Sequence, residues 1–247
     1  MIEIIDLVKS FNGQKVLDGI NLTMPQGQIT VVIGKSGVGK SVLLKHIIGL
    51  LKPDAGRVLI EGRDITRLKG WALQELRKRF AVLFQGGALF DSLTVFENIA
   101  FPLREKTRLP EKEISRRTLE RLDQMNLAPE VGDKYPDELS GGMKKRVALA
   151  RAMIQEPEII FFDEPVTGLD PPMTNTVFHL IKKTHAESGY TALVVSHDIP
   201  DVFQVADQVA MLHRGRIVAC GTPDDIQRHT DPVVQSFIRG EVDFLEA

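Results

Sequence analysis

The sequence predicts an α/β fold, because short apolar runs rich in β-branched residues alternate with longer stretches of helical periodicity. A buried-strand pattern at 29–33 leads into a glycine-rich loop, and a helical pattern follows at 42–48. Strand patterns resume at 159–162 and 192–195, whereas 86–155 contains helical patterns only. We therefore predict a sheet flanked by helices, with an N-terminal antiparallel β region and a helical insertion.

The N-terminal region contains extended segments separated by turns. Ile2, Ile4 and Leu7 partly alternate with polar residues, and a glycine turn follows at 11–14. Phe11 precedes this turn, about twenty residues before the glycine-rich loop. It is either an aromatic that stacks on a nucleobase or an ordinary core or edge phenylalanine.

The glycine-rich loop fits the phosphate-binding pattern G-x-x-x-x-G-K-[ST] between a strand and a helix. Its residues are Gly34, Lys35, Ser36, Gly37, Val38, Gly39, Lys40 and Ser41. Glycines let backbone N–H groups converge on phosphates, and the helix N-terminus adds its positive dipole end. Lys40 would reach the β- and γ-phosphates, and the Ser41 hydroxyl would help hold Mg²⁺.

Polar residues follow three other strand patterns, where open α/β sheets place their ligands. Gln85 follows the strand pattern at 81–84 and would bind Mg²⁺ or the attacking water, unless it is a solvated loop residue. Asp163 can hold Mg²⁺, and Glu164 can polarise a water for attack on the γ-phosphate. His197 follows the last strand pattern.

The segment 86–155 predicts three helices, at 94–104 with an interruption at Pro102, at 110–126 and at 141–155. A serine and two glycines, Ser140, Gly141 and Gly142, open the third helix and form a second anion-binding element. The basic residues of this helix are interpreted as a solvated face, with a nucleic-acid patch as the minority alternative. They are Lys144, Lys145, Arg146 and Arg151.

After the last core strand, segments 208–212 and 216–219 predict a hairpin, and 233–239 predicts a short helix. Composition limits the function classes further. A net charge of −2 argues against a dedicated nucleic-acid binder. The single cysteine, Cys220, excludes an intramolecular disulfide and a multi-cysteine metal site. With no signal-peptide pattern and no apolar run near about 20 residues, we expect a cytoplasmic protein that reaches a membrane through a partner.

Taken in order, these pieces resemble the nucleotide-binding subunits of ABC transporters over essentially the whole chain. The matching pieces are Phe11, residues 34–41, Gln85, residues 139–142, residues 159–164, residues 168–170 and His197. The resemblance implies a single ABC ATPase domain with a P-loop NTPase (RecA-like) core. It places the α/β core at 1–85 and 156–220, a helical subdomain with the signature motif at 86–155, and a C-terminal tail at 221–247.

The resemblance also implies residue roles in binding ATP and Mg²⁺. Phe11 would stack on adenine, residues 34–41 would hold phosphates, and Ser41, Gln85 and Asp163 would surround Mg²⁺. Glu164 would be the catalytic carboxylate, assisted by Gln85 and His197. Ser140, Gly141 and Gly142 would contact the nucleotide of a second copy, and Asp170 would lie in a loop crossing that dimer interface. Two copies would sandwich two ATP.

Narrower features are similar to the Mla/Mce-type lipid transporter ATPases. They are the stretches 84–95 and 164–171 and Met143, where many other ABC ATPases carry Gln or Glu. This similarity implies phospholipid cargo, integral-membrane permease subunits, Mce-domain and STAS-domain partners, and a peripheral location on the cytoplasmic face of the inner membrane. The alternatives are an ABC ATPase for another cargo, such as an amino acid, ion or drug, and a soluble ABC protein of DNA repair or translation.

Overall fold

The computed structural model describes residues 1–241, which form two β-sheets and the helices around them. The strands are β1 (Ile2–Phe11), β2 (Gln14–Met24), β3 (Ile29–Ile33), β4 (Ala55–Ile60), β5 (Arg63–Asp64), β6 (Phe80–Leu83), β7 (Ile159–Asp163), β8 (Thr191–Ser196), β9 (Gln208–His213) and β10 (Arg216–Gly221). The helices are α1 (Lys40–Ile47), α2 (Gly70–Arg77), α3 (Val95–Lys106), α4 (Glu111–Gln124), α5 (Gly141–Met153), α6 (Pro171–Ser188), α7 (Pro223–Gln227) and α8 (Pro232–Arg239). The predicted α/β class is confirmed.

The larger sheet has the strand order β10-β9-β3-β8-β7-β6, and all its neighbouring strands are parallel except β9 and β10. The β9–β10 pair is the predicted hairpin. Ile33 pairs with Ser196 across β3 and β8, and Asp163 pairs with Val195 across β7 and β8. The carboxyl ends of β6, β7, β8 and β3 therefore lie along one edge of the sheet.

Side chains of the parallel strands alternate between two cores, one on each face of the sheet. Val31 and Ile33 point into a core that includes buried residues of α3 to α6. Val32 and Phe161 point to the opposite face, which α1, α2 and the antiparallel sheet cover. Burial on both faces explains why these strands appear in the sequence as continuous apolar runs.

Helix α3 continues through Pro102, so the predicted interruption is wrong. A proline inside a helix removes one backbone hydrogen bond. Here Ile99 and Leu103 are both buried on either side of it, and Gln155 Nε2 donates to the Pro102 carbonyl at 3.0 Å. A capping box between Thr94 and Glu97 also fixes the start of the helix. These contacts offset the missing hydrogen bond.

The expected solvated basic face of α5 is also wrong at two positions. Lys145 is only 7% exposed, and its ammonium donates to the Gln85 carbonyl. Arg151 Nη2 donates to the Gly87 carbonyl at 2.7 Å. Four consecutive residues, Val147 to Ala150, are buried as well, so α5 has no continuous solvated face over its second half.

The division into a core, a helical subdomain and a tail stays a prediction. Between β6 and β7 the described chain forms helices and short 3₁₀ turns only, and α7 and α8 follow β10. The last six residues of the predicted tail, 242–247, lie outside the described residues.

Gly56 lies in β4 opposite an irregularity in β1, where the pairing shifts between Ile5 and Val8. Its φ is +79°, and a Cβ at this position would lie 2.2 Å from the Asp6 carbonyl oxygen. Gly62 has a similar φ of +76°, but a Cβ there would meet nothing within 4 Å. Substitution at Gly62 would therefore introduce backbone strain alone, whereas substitution at Gly56 would introduce both backbone strain and steric overlap.

We expect Gly56→Ala to lower the free energy of unfolding by about 3 kcal/mol or more, because the strained backbone must also move away from β1. Gly62→Ala, the matched control, should cost about 1–2 kcal/mol from the left-handed conformation alone. Urea unfolding of both variants measures the difference. Equal losses of unfolding free energy in the two variants would show that the close approach to Asp6 is not the reason why position 56 requires glycine.

Candidate active site

The phosphate-binding loop connects β3 to α1, and two of its features depend on close packing. Gly34 has φ +156°, and a Cβ there would lie 2.4 Å from the Leu212 carbonyl oxygen, so the position requires glycine. Lys40 is 4% exposed, and its Nζ donates to the carbonyls of Gly34 at 2.8 Å and Lys35 at 2.9 Å. The Lys40 side chain thus crosses the loop and holds its shape.

Burial lowers the pKa of the Lys40 ammonium, because a charged group loses solvation there. The carboxylates of Glu164 and Asp163 act in the opposite direction and favour the charged form. Lys40 Nζ lies 3.8 Å from Glu164 Oε1. The loop therefore presents a buried cation beside an acidic group, in a setting where water screens charges weakly.

A cleft of about 240 Å³ lies between the loop and the ends of β6 and β7. It is lined by Ser36, Gly37, Gly39, Lys40, Ser41, Val42, Gln85 and Glu164. Most of the loop and two residues predicted from distant segments thus line one cleft. Gly34, Lys35 and Val38 belong to the loop but are not among the lining residues, and the contacts above show that the first two shape it from behind.

Ser41, which lines the cleft, bonds to Asp163 at the end of β7, because Ser41 Oγ donates to Asp163 Oδ1 at 2.9 Å. Gln85 lines the same cleft. A hydroxyl, a carboxylate and an amide are hard oxygen donors, and Mg²⁺ is usually held by one or two protein oxygens together with phosphates and waters. The residues present therefore fit the predicted Mg²⁺ site.

Both carboxylate oxygens of Glu164 have side-chain partners. Its Oε1 lies 3.2 Å from His197 Nδ1, and Thr167 Oγ1 donates to its Oε2 at 3.2 Å. Its backbone has φ +50°, a left-handed conformation, and its N–H donates to the Val195 carbonyl at 2.9 Å. A carboxylate held on both oxygens beside a phosphate loop can accept a proton from an attacking water.

Sequence reasoning missed the contribution of Thr167. Thr167 lies within the stretch 164–171, which carries the similarity to lipid transporter ATPases, but the sequence alone assigns it no role. The spacing of three residues after Glu164 is the signal that points to it, because a tight turn after a strand brings such positions together. The structure also adds Lys145, whose ammonium lies 3.5 Å from the Glu164 carbonyl oxygen.

Besides Gly34, Lys35 and Val38 of the loop, seven predicted residues do not line this cleft. Two of them, Asp163 and His197, bond to the lining residues Ser41 and Glu164, and the other five lie elsewhere. Phe11 ends β1 and is 41% exposed, with Lys9 Nζ 5.4 Å from its ring centroid. Ser140 caps α5 by accepting the Met143 N–H at 3.3 Å. Asp170 caps α6 by accepting the Met173 N–H at 2.9 Å. The remaining two, Gly141 and Gly142, form the first turn of α5.

The first turns of α5 and α6 pack against each other. A Cβ on Gly142 would lie 2.8 Å from Met173 Sδ, and a Cβ on Gly141 would lie 3.4 Å from Leu169. Ser140, Gly141 and Asp170 are exposed. Two of the three residues predicted to form a second anion-binding element, Ser140 and Gly141, therefore lie on the surface, apart from the cleft of their own chain, whereas Gly142 is buried.

Residues 17–167 match the family model described as "ABC transporter". The ATP-binding protein MlaF of the intermembrane phospholipid transport system of Haemophilus influenzae is 41% identical over 243 residues, covering 98% of this chain and 92% of MlaF. The Escherichia coli K12 MlaF is 42% identical over 228 residues, 92% of this chain and 84% of that protein. The probable ribonucleotide transport ATP-binding protein mkl of Mycobacterium tuberculosis is 43% identical over 241 residues, 97% of this chain. The chain spans 66% of the length of mkl.

Solved structures agree with the sequence relatives. The dimeric post-hydrolysis state of the ATP-binding cassette MJ0796, bound to ADP and Pi, superposes with a TM-score of 0.82 at 31% identity, covering 90% of this chain and 99% of that one. CbiO1 from Clostridium perfringens, part of the ABC transporter complex cbiONQ, gives a TM-score of 0.84 at 30% identity, over 96% of this chain and 94% of that one. These likenesses confirm the predicted ABC ATPase fold.

We expect Thr167→Val to lower the turnover of ATP about tenfold, because a hydrogen bond to a charged group contributes about 1.5–3 kcal/mol. Affinity for the nucleotide should change less than about twofold, since the phosphate loop is untouched. Phosphate release at saturating ATP measures turnover. Thr176→Val is the control, because its Oγ1 bonds to the Pro172 carbonyl on α6 at 2.9 Å. Equal activity of the two variants would contradict the role of Thr167.

Proposed function

This chain belongs to the ABC transporter family, and from that premise we propose that it powers phospholipid transport through a separate permease. The chain is an ATPase of that family. The observation that carries the lipid proposal is the identity of 41–42% with MlaF proteins of two bacteria, over 92–98% of this chain. The arrangement around Glu164 supports the residue roles that follow.

In the proposed reaction, Lys40 and the loop amides hold the β- and γ-phosphates, and Glu164 orients the attacking water and accepts its proton. His197 Nδ1, at 3.2 Å, and Thr167 fix the two oxygens of Glu164, so the carboxylate needs no reorganisation when the water arrives. Gln85 faces the same cleft and is placed to contact the water or the metal. Phe11 would stack on the adenine.

Ser41, Gln85 and Asp163 would hold Mg²⁺. When bound, the ion neutralises the charge that develops on the β- and γ-phosphates during transfer. The 2.9 Å hydrogen bond from Ser41 Oγ to Asp163 Oδ1 holds these two oxygens next to each other beside the phosphate-binding loop.

We propose that the working form is a head-to-tail homodimer with ATP at both sites. The start of α5, where Ser140 and Gly141 are exposed and Gly142 is buried, would bind the γ-phosphate held by the partner's loop. Asp170 would lie in the segment that crosses the interface. The dimeric MJ0796 cassette with ADP and Pi supports this arrangement. Hydrolysis would remove γ-phosphate contacts and shift the dimer towards its open state.

None of the helices among residues 1–241 has both the length and the apolar character needed to cross a membrane. We propose that the chain binds integral-membrane permease subunits at the cytoplasmic face of the inner membrane. The segment 86–101 would contribute to the receiving groove, within a helical subdomain at 86–155. Mce-domain and STAS-domain subunits would complete the complex, and nucleic acid would not be a partner.

A different cargo is the second candidate, because the mycobacterial relatives carry a name that points to ribonucleotides. Affinity purification of the chain from native membranes, with mass spectrometry of proteins and bound small molecules, distinguishes the two. The lipid proposal expects a permease and phospholipid to co-purify. A permease with no enriched lipid, or with nucleotides as its bound solute, would contradict it.

We expect Glu164→Gln to retain ATP binding but reduce hydrolysis at least about a hundredfold, because the amide cannot accept the proton of water. The variant should accumulate as an ATP-bound dimer in sedimentation velocity, whereas the unmodified chain stays mostly monomeric. Glu130→Gln is the control, since Glu130 is exposed in a 3₁₀ turn away from the cleft. Normal hydrolysis in Glu164→Gln would exclude Glu164 as the catalytic group.

A further inference from the structure

Helix α5 carries a lysine whose charged end is directed into the protein. Lys145 is 7% exposed. Its ammonium donates to the Gln85 carbonyl and lies 3.5 Å from the Glu164 carbonyl oxygen. Within residues 1–241 it forms no ion pair with a carboxylate; both of its partners are backbone carbonyls.

Such a group is costly to bury, because an ammonium loses its hydration. Burial lowers the pKa of Lys145, while the charges of Glu164 and Asp198 favour its charged form. The two carbonyls replace part of the lost hydration. An apolar side chain could fill this space without the loss of hydration. The presence of a buried ammonium at position 145 therefore needs a specific explanation.

The two carbonyls belong to neighbouring segments of the site. Strands β6 and β7 are adjacent and parallel, and Gln85 and Glu164 follow them at the same edge of the sheet. Both residues line the cleft beside the phosphate loop. Lys145 therefore holds together, through the main chain, two residues whose side chains must converge on one nucleotide.

We propose that Lys145 is a positioning residue for ATP hydrolysis, which fixes the backbones of Gln85 and Glu164 relative to each other and to α5. It does not touch the reacting atoms. Its effect is on the orientation of the Gln85 amide and the Glu164 carboxylate. This inference rests on the proposed roles of those two side chains.

A second contact on the same helix supports the assignment. Arg151 Nη2 donates to the Gly87 carbonyl at 2.7 Å, and its Cζ lies 5.6 Å from the Phe90 ring centroid. A Cβ on Gly87 would lie 3.3 Å from the Ala148 side chain, so the loop lies directly against α5. Lys145 and Arg151 thus attach the segment after β6 to the helix at two points.

The attachment has a consequence for the proposed dimer. Ser140 caps α5 only five residues before Lys145, which is about 7.5 Å along a helix. The first turn that would bind the partner's nucleotide and the lysine that holds this chain's own site therefore belong to one rigid rod. Binding of the partner's nucleotide to the start of α5 would therefore change the positions of Gln85 and Glu164.

The test compares Lys145→Met, which keeps the length without the donor, with Lys182→Met, which removes an exposed lysine of α6. The full 247-residue chain is used. We expect Lys145→Met to lower kcat about tenfold and to raise the Mg²⁺ concentration for half-maximal activity about threefold. Affinity for a fluorescent ATP analogue in EDTA and the thermal midpoint should match Lys182→Met. Lys145→Gln, which restores an N–H donor, should recover part of kcat.

The outcomes separate the inference from the proposed function. If the unmodified chain hydrolyses ATP and Lys145→Met matches it in kcat and Mg²⁺ dependence, the positioning role is overturned while the ATPase site stands. If Lys145→Met loses nucleotide affinity and thermal stability together with kcat, and Lys145→Gln restores none of them, the lysine is structural only. Absence of hydrolysis in the unmodified chain and in Lys182→Met would reject the proposed function itself.

Discussion

The parallel register of four strands is the constraint on which the rest of the structure depends. Asp163 lies beside Val195, and Ile33 lies beside Ser196. The residues that follow these pairs reach the same edge of the sheet, although they are far apart in sequence. A shift of one residue would turn Phe161 and its neighbours to the wrong core and move the acidic pair away from the loop. Because both faces of the sheet are buried, hydrophobic packing fixes the register, and the register fixes the geometry of the site.

That geometry brings together charges that would be costly to bury separately. Lys40 is 4% exposed and lies 3.8 Å from Glu164, which has 14% of its side chain exposed. The neighbouring Lys145 adds a second buried cation on the other side of Glu164, at its carbonyl. Each group is held by hydrogen bonds to fixed backbone or side-chain partners. A site organised in this way stabilises developing charge without rearranging, at a cost in folding free energy.

The sequence was sufficient to predict the α/β class, because the strand patterns and the glycine loop are local signals. It also predicted that Gln85 and Glu164 would converge, since both follow strands of one parallel sheet. It failed at Lys145, because the helical period shows which residues share a face but not which faces a neighbour covers. Residues 147–150 of the same helix are all buried, so the helix has little surface left for a solvated face. Pro102 shows the same limit: local propensity predicted a break, and packing of Ile99 and Leu103 overrode it.

In the proposed dimer, helix α5 would connect the two halves of a site that is shared between two chains. Its N-terminal end is exposed at Ser140 and Gly141, and its middle is buried against the loops that follow β6 and β7. If the segment at 85–90 moved away from α5, Lys145 and Arg151 would lose their hydrogen bonds to the carbonyls of that segment, and those carbonyls would lose these donors. The segment and the helix should therefore move together, as a rigid body. Nucleotide contact at the first turn would then move Gln85 together with α5, without any rearrangement inside the helix. Coupling of this kind requires a rigid element that can occupy two discrete positions in the protein.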